Sequence, residues 1–438
     1  MNTIKRNTIH IVIHFFIIGC FWAGAQNSNI NSLTLKVDPE TVFKNPPESA
    51  KPGALWMWMG ANISKEGITK DLEALKNAGF NRTTMFSLAD VTTPWAGNIE
   101  KSPTPQIISW TERWWELVRF AAQESKRLQM DFGMFNCPGY TASGGKWISS
   151  ENSMKELIWS EKKINITQKT IKLDKPSVNL RAKQPFPVYN PNTNLVEKPI
   201  ITERETYYKD IAVIAVPSSG IVSKNDIIDL TGKMKSDGSL NWTPPSGEWS
   251  IYRFGYTTMG TLIQPAQWEA TGFEVDKLDP VAIKAYFENY LDQYKSATSG
   301  LIGDKGGLQY IVTDSWEAGA QNWTKNLPAE FAKRRGYSLL PWMPTLTGQI
   351  IKNSEASEKF LWDYRKTLSE MVSEYHYDQL TTLLHERGMK RYSESHEAGR
   401  ALIADGMEVK RNADIPMGAM WTPGQIGADG KTNNEEIR

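Results

Sequence analysis

Two short stretches carry acids in patterns that can do chemistry: Asp314-Ser315-Trp316-Glu317 and Glu394-Ser395-His396-Glu397. Each follows a run of strand-forming residues, Leu308 to Val312 before the first and Met389 to Tyr392 before the second. In parallel sheets, functional groups gather where strands end and turn into helices. Splitting a glycosidic bond takes one carboxylic acid to protonate the leaving oxygen and a second carboxylate on the other face of the ring. Neighbouring strands lie about 5 Å apart, so two such ends can deliver that pair. Spacing in sequence does not distinguish a separation of about 5 Å from one of about 9 Å, so retention and inversion both stay open at this point. A single acid at a strand end is more often a helix cap or an arginine partner. Two acid-rich ends, each beside an aromatic or histidine, shift the balance toward a catalytic pair.

Other chemistries find less support. His396 is one of five histidines, and His10 and His14 lie in the apolar N-terminal stretch. There is no HxH or HExxH pattern for zinc or di-iron. A hard cation held by Asp, Glu and Asn oxygens leaves no spacing signature to read. Neither a Gly-rich phosphate loop nor a Gly-x-Ser-x-Gly elbow occurs. Cys137 has no histidine or basic residue beside it, which favours a small buried residue over a nucleophile.

The elements that must position these acids read as alternating strands and helices. Ala54 to Met59, which includes Trp56 and Trp58, is too short and apolar for anything but a strand. Ser64 is a natural N-cap, and Ile68, Leu72 and Leu75 follow at helical spacing until Gly79. Phe80 to Leu88 is a second strand, Trp110 to Leu128 a helix, and Met130 to Phe135 a third strand. Polar and aromatic segments follow these strands, with Asp90 after the second and Asn136 to Tyr140 after the third. Helical periodicity vanishes between 159 and 273, where short β-rich runs alternate with turn signals such as Asp237-Gly238 and Pro244-Pro245. It resumes at Asp279-Pro280 and in a long helix from Ser354 to Arg387. Strands at 308–312, 389–392 and 415–421 bring the count to six.

The reading is therefore an α/β chain with a (β/α)8-type TIM barrel two strands short of closure and an inserted β-sandwich-like domain. Its expected organisation is a leader at 1–25, a first barrel part at 26–158, the insert at 159–273 and a second, incomplete barrel part at 274–438. The candidate catalytic residues are Glu317 and Glu394. The candidate substrate contacts at the strand ends are Trp58, Asp90, Asn136, Asp314, Trp316, His396 and Glu397.

Composition bounds the partners. The chain of 438 residues is 40% hydrophobic and 23% charged, as in an ordinary globular protein. Its 17 tryptophans are dense, and an indole face suits a sugar ring as well as a core. Lys5 and Arg6, an apolar stretch from Ile9 to Trp22, and Ala23-Gly24-Ala25 have the layout of an export leader. The stretch is too short to span a membrane comfortably. Cleavage after Ala25 is favoured over lipidation at Cys20, since Phe21 and Trp22 are poor successors to a lipidated cysteine. A secreted or periplasmic location is expected. Loss of Lys5 and Arg6 turns the formal charge of +1 into −1, and no basic block exists to hold a nucleic acid. An oligosaccharide or polysaccharide is the expected partner.

Several stretches together resemble one known family. They are Asn45-Pro46-Pro47-Glu48-Ser49-Ala50-Lys51-Pro52, Ser64 to Glu73, Asn136-Cys137-Pro138-Gly139-Tyr140 with Ser143-Gly144-Gly145, Gly247-Glu248-Trp249 with Arg253-Phe254-Gly255, Glu274-Val275-Asp276-Lys277-Leu278, Asp314 to Glu317, and Ala413 to Gly418. In this order they resemble glycoside hydrolase family 106, the α-L-rhamnosidases. The resemblance implies a (β/α)8 catalytic barrel with β-sandwich additions, release of terminal rhamnose, and inversion. It implies Glu317 as general acid and Glu394 as the base that activates water, with Glu397 the alternative base. It further implies calcium near the sugar, for which Asn136, Asp314 and Glu397 are candidate oxygen ligands. Members of that family run several hundred residues further, so a truncated, inactive sugar-binding barrel is the alternative expectation.

Overall fold

The computed structural model describes residues 38–60, 62–88, 107–165, 171–178, 187–190, 192–200, 206–395, 403–419, 425–426 and 432–433. The expected leader at 1–25 and the polar tail from 427 fall outside those residues, apart from 432–433. The chain divides into two units, Met1–Lys51 and Pro52–Arg438. In the described part of the first, a one-and-a-half-turn helix, Pro39–Lys44, begins where the Asp38 carboxylate accepts from the Thr41 main-chain N–H at 3.1 Å.

The second unit is organised on a six-stranded sheet in which every neighbouring pair is parallel. Its strands β1 (Gly53–Met59), β2 (Arg82–Leu88) and β3 (Asp131–Phe135) come first in the chain and lie in that order. The sheet continues, after a long excursion, with Leu308–Thr313, Lys390–Ser393 and Ile415–Pro416. All six expected strands are thus present in one sheet. Among the described residues it is open, with the first and last strands each paired on one side only.

Period-two alternation sorts the strand residues between two faces. Trp56 and Trp58 turn together toward α1 (Lys65–Asn77) and α2 (Glu112–Arg127), packing with Ile68, Leu72, Trp114 and Val118. Their partners in alternation, Leu55 and Met57, are 55% and 52% exposed on the other face of the edge strand. Further into the sheet that second face is a dry layer of Phe86, Leu88, Phe135, Tyr310, Val312 and Tyr392. Tyr310 stacks on Tyr392 with centroids 4.4 Å apart, and its hydroxyl lies 2.8 Å from Thr84 Oγ1. Gly133 makes room for this, because a Cβ there would overlap the Tyr310 ring. The helix α1 starts as expected, with Ser64 Oγ accepting from the Gly67 N–H at 3.0 Å, a cap worth about 1 kcal/mol.

Between β3 and the second half of the sheet, the β-rich excursion forms a four-stranded antiparallel sheet of β4 (Lys155–Asn165), β5 (Lys209–Pro217), β6 (Ile228–Asp229) and β7 (Glu248–Thr258), in the order β4-β7-β5-β6. It begins at Lys155, four residues ahead of the boundary read from the sequence. One face, with Ala212, Ile214, Tyr252 and Phe254, packs against Phe331, Met343, Phe360 and Tyr364. The other, with Val213, Ala215 and Ile251, is covered by Ile171, Leu173, Leu240 and Trp242 around a short strand pair. The remaining strands of the parallel sheet are β8 (Leu308–Thr313), β9 (Lys390–Ser393) and β10 (Ile415–Pro416).

Helix α3 (Pro280–Ala297) starts where Asp279 caps Val281 and buries Ile283, Phe287 and Leu291. The long helix read at 354–387 is one run with an interruption: α4 (Ser354–Met371), a π-helical turn at Val372–Asp378, and a last segment, Gln379–His385. Such turns insert one residue into the ladder and commonly sit beside functional sites. Here the turn carries His376, which is fully buried.

Candidate active site

The two acid-bearing turns leave the same end of the sheet from adjacent strands. Strands β8 and β9 are parallel with Thr313 opposite Ser393, so Asp314 and Glu394 occupy the next position on each. Main-chain bonds extend this pairing past the strands. The Glu394 N–H donates to Thr313 O at 2.9 Å, and the Trp316 N–H donates to Ser395 O at 2.9 Å. Glu317, one residue on, donates its N–H to Thr141 O at 2.9 Å. Asp314, Glu317 and Glu394 are all half-buried, neither sealed in the core nor fully in water.

Side chains behind the turns fix them further. Asp314 Oδ1 accepts from the Ser315 N–H at 2.8 Å. The Trp316 indole is only 2% exposed and donates to Gly319 O at 2.8 Å. It therefore walls the turn from within rather than offering an open platform. Ser393 Oγ accepts from Thr313 Oγ1 at 2.8 Å and from the buried Arg391 guanidinium at 3.0 Å.

Asn136 follows β3 beside β8, its N–H donating to Val312 O. Its side chain is 1% exposed, and its amide donates to Ser143 Oγ at 2.9 Å. Its Oδ1 finds no hydrogen-bond partner among the described residues. Trp58 is not brought to this place: at 3% exposure it faces the helices, edge-on to Trp56 and Trp114. Asp90, His396 and Glu397 lie outside the described residues. The structure thus joins Asn136, Asp314, Trp316, Glu317 and Glu394 around one sheet end.

Sequence reasoning gave no role to the segment beneath this end. Residues 259–278 return from the insert, with Glu274 bridging antiparallel to Gly144 and Val275 to Ser153. Gly144 permits the approach, since a Cβ there would strike the backbone of Phe273 and Glu274. Glu274 and Lys277 form an ion pair with no exposure at either side chain, Nζ to Oε2 2.6 Å. Burial pushes the Lys277 ammonium below its ordinary range, against the pull of Glu274. Nearby, Asp276 accepts from Gln321 and Thr324, and burial raises its carboxyl above the usual range. The adjoining Cys137 is a free, buried thiol whose pKa burial pushes up, unsuited to nucleophilic attack.

For a hard cation, the residues present fit in kind and fall short in number. Asn136 Oδ1 is a buried acceptor without a partner among the described residues, and Asp314 adds carboxylate oxygen. Calcium takes six to eight oxygens, and one from Asn136 with at most two from Asp314 leave about three to five to be supplied elsewhere. Among the described residues no group of three or more His, Cys, Asp and Glu side chains is assembled to hold a metal. No described helix is long and apolar enough to cross a membrane.

Acidic turns on adjacent strands of a parallel sheet, at its carboxyl end, are the arrangement found in barrel-type carbohydrate-active enzymes. The model of the alpha-L-rhamnosidase family, glycoside hydrolase family 106, matches residues 44–220 and 217–438, and the chain belongs to that family. A solved rhamnosidase from Novosphingobium sp. PP1Y superposes with a TM-score of 0.70 at 27% identity, over 87% of this chain and 49% of that one. A protein of Formosa agariphila named "Putative beta-glucuronidase" is 31% identical over 93% of this chain and 34% of its own length. The chain therefore spans about half the length of the solved relative and about a third of the other.

Proposed function

We propose that the chain carries the catalytic centre of an inverting glycoside hydrolase that removes terminal α-L-rhamnosyl groups from complex glycans. Glu317 protonates the leaving oxygen as the C–O bond breaks. Glu394 takes a proton from the water that attacks the anomeric carbon from the opposite face, with Glu397 as the alternative base. The observation that carries this reading is the Trp316 N–H···Ser395 O bond, which ties the two acid turns together at one sheet end. The six parallel strands are, in the same proposal, part of an eight-stranded barrel. The half-exposed Leu55 and Met57 on the face of β1 belong to the interior that closure covers. A calcium ion held by Asn136, Asp314 and Glu397 would orient sugar hydroxyls. Export from the cytoplasm, directed by residues 1–25, is also part of the proposal.

A second reading, cleavage of a β-glucuronoside by the same acids, is favoured by the name of the Formosa agariphila relative. One experiment separates the two. The full chain is assayed on nitrophenyl α-L-rhamnoside and nitrophenyl β-D-glucuronide, each with and without a chelator. Release from the rhamnoside, weakened by chelation, is the expected result. Release from the glucuronide alone would move the proposal to that sugar. Calorimetric binding of a rhamnose oligosaccharide with no sugar released would make the chain a binding protein.

A further inference from the structure

The pair of Glu274 and Lys277 is costly to hold where it is. Two charges removed from water lose several kcal/mol of hydration each, and replacing such a pair by neutral groups of similar shape is often neutral or stabilising. Stability alone therefore does not account for it. Its bonds point to what does.

Each atom of the pair is committed. Glu274 Oε1 accepts from Thr141 Oγ1 at 2.5 Å, and Oε2 accepts from the Ser143 N–H at 2.9 Å and from Lys277 Nζ. The other Lys277 protons go to Ser143 O and Val275 O, both at 2.9 Å. Two paths lead from here to the acid turns. Thr141, held through its hydroxyl by Glu274, uses its carbonyl to accept the Glu317 N–H at 2.9 Å. Lys277 Nζ sits 5.7 Å from the centroid of the Trp316 ring, and the Trp316 N–H reaches across to Ser395 O. His376, from the π-helical turn, closes the far side. Its ring is edge-on to Trp316 with centroids 6.2 Å apart, and its Nε2 lies 2.8 Å from Ser143 Oγ.

We propose that the buried Glu274–Lys277 pair is a positioning clamp for the acid turns, fixing Glu317 through the Thr141 carbonyl and the spacing between the two turns through Trp316. The clamp touches no substrate. It acts by holding the Glu317 main chain, so that the carboxyl arrives at one place over the leaving oxygen. As a role in the reaction it rests on the reading of Glu317 as general acid; as a mechanical link it does not.

Misplacing a catalytic group by about 1 Å costs up to about a hundredfold in rate, and the clamp variants should fall inside that range. Three variants of the full chain are compared with the parent. Thr141→Val removes one hydroxyl, Thr141→Ser restores it, and the double variant Glu274→Gln with Lys277→Met removes both charges together, leaving neither buried alone. Where Thr141→Val and the double variant keep the parent's circular dichroism, kcat should fall about tenfold or more on methyl α-L-rhamnoside, with KM within about twofold. On the dinitrophenyl rhamnoside, whose leaving group needs no proton, the loss should be about threefold or less. Thr141→Ser should regain most of the rate. Hydrogen exchange across 314–319 should quicken in both impaired variants.

A loss equal on both substrates overturns a role in placing the acid. Unchanged exchange across 314–319 in a folded double variant overturns the clamp itself. Glu317→Gln is run beside them. Should it retain full activity, the acid assignment fails, and the exchange rates alone decide whether the clamp exists. A double variant that does not fold leaves Thr141→Val and Thr141→Ser to decide the same two questions.

Discussion

The main-chain N–H of Trp316 donates to the carbonyl of Ser395 at 2.9 Å, beyond the point where strands β8 and β9 stop pairing. Parallel strands normally part company at their ends, because each turns away into its own helix. Here two bonds carry the ladder on, Glu394 N–H to Thr313 O and Trp316 N–H to Ser395 O, and the second joins the two turns that carry acids. Glu317 follows Trp316 and Glu394 precedes Ser395, so the bond sets where both carboxylates start. A pair of acids working on opposite faces of one ring needs its spacing fixed far better than two free loops would fix it.

Replacing Glu317 by Gln should leave the fold intact, since the side chain is half-buried and the main-chain bond to Thr141 remains. Loss of a general acid costs about 10²–10⁴ in rate when the leaving group is poor. The expected result is that loss on methyl α-L-rhamnoside and a much smaller one on a dinitrophenyl rhamnoside. Equal turnover of both by Glu317→Gln removes this residue from the mechanism.

Glu394 and Glu397 compete for the role of base, and paired substitutions decide between them. A base that activates water is needed whatever the leaving group, so its loss should cost about a hundredfold or more on both rhamnosides. Glu394→Gln is expected to behave so, because Glu394 sits in strand register with Asp314 at the sheet end. Glu397→Gln should raise KM or weaken the response to calcium instead. The reverse pattern in steady-state kinetics would transfer the role to Glu397.

Much of the frame was legible in the sequence, and the reasons are local. Ser64 and Asp279 cap the helices expected of them, and six apolar runs became six parallel strands because short β-forming segments between helices have few other arrangements. Trp58 shows where reading by residue type fails. Period two sends Trp56 and Trp58 to one side together, and the structure, with the alternating Leu55 and Met57 exposed on the other, shows that side to be the helix-facing one. Alternation was thus a signal for placing Trp58 on one face with Trp56, and in a run apolar throughout it did not say which face meets the helices. The Glu274–Lys277 pair was present in the sequence as a motif without a role. Its partners Thr141, Ser143 and Trp316 lie dozens to more than a hundred residues away, and no local pattern announces such contacts. The π-helical turn was equally hidden, since no glycine or proline stands in Val372–Asp378 to signal a break.

His376 supplies a prediction about acid. Burial holds its imidazole well below the ordinary value of 6.5, and the charges of Lys277 and Arg391 push the same way. In the unfolded chain this histidine takes up a proton below about pH 6.5, whereas in the folded protein it stays neutral. The unfolded state then binds more protons, so stability is fully present above that pH and declines as pH falls through it, by at most about 1.4 kcal/mol per pH unit. His376→Gln keeps a hydrogen-bonding group beside Ser143 Oγ and removes the titration. Urea unfolding midpoints measured between about pH 5 and 8 should drop on acidification in the parent and less steeply in the variant, the difference opening below about pH 6.5. Parallel profiles for the two proteins would mean that His376 is protonated as readily in the fold as in the unfolded chain, and that the wall behind Trp316 is wetter than its burial implies.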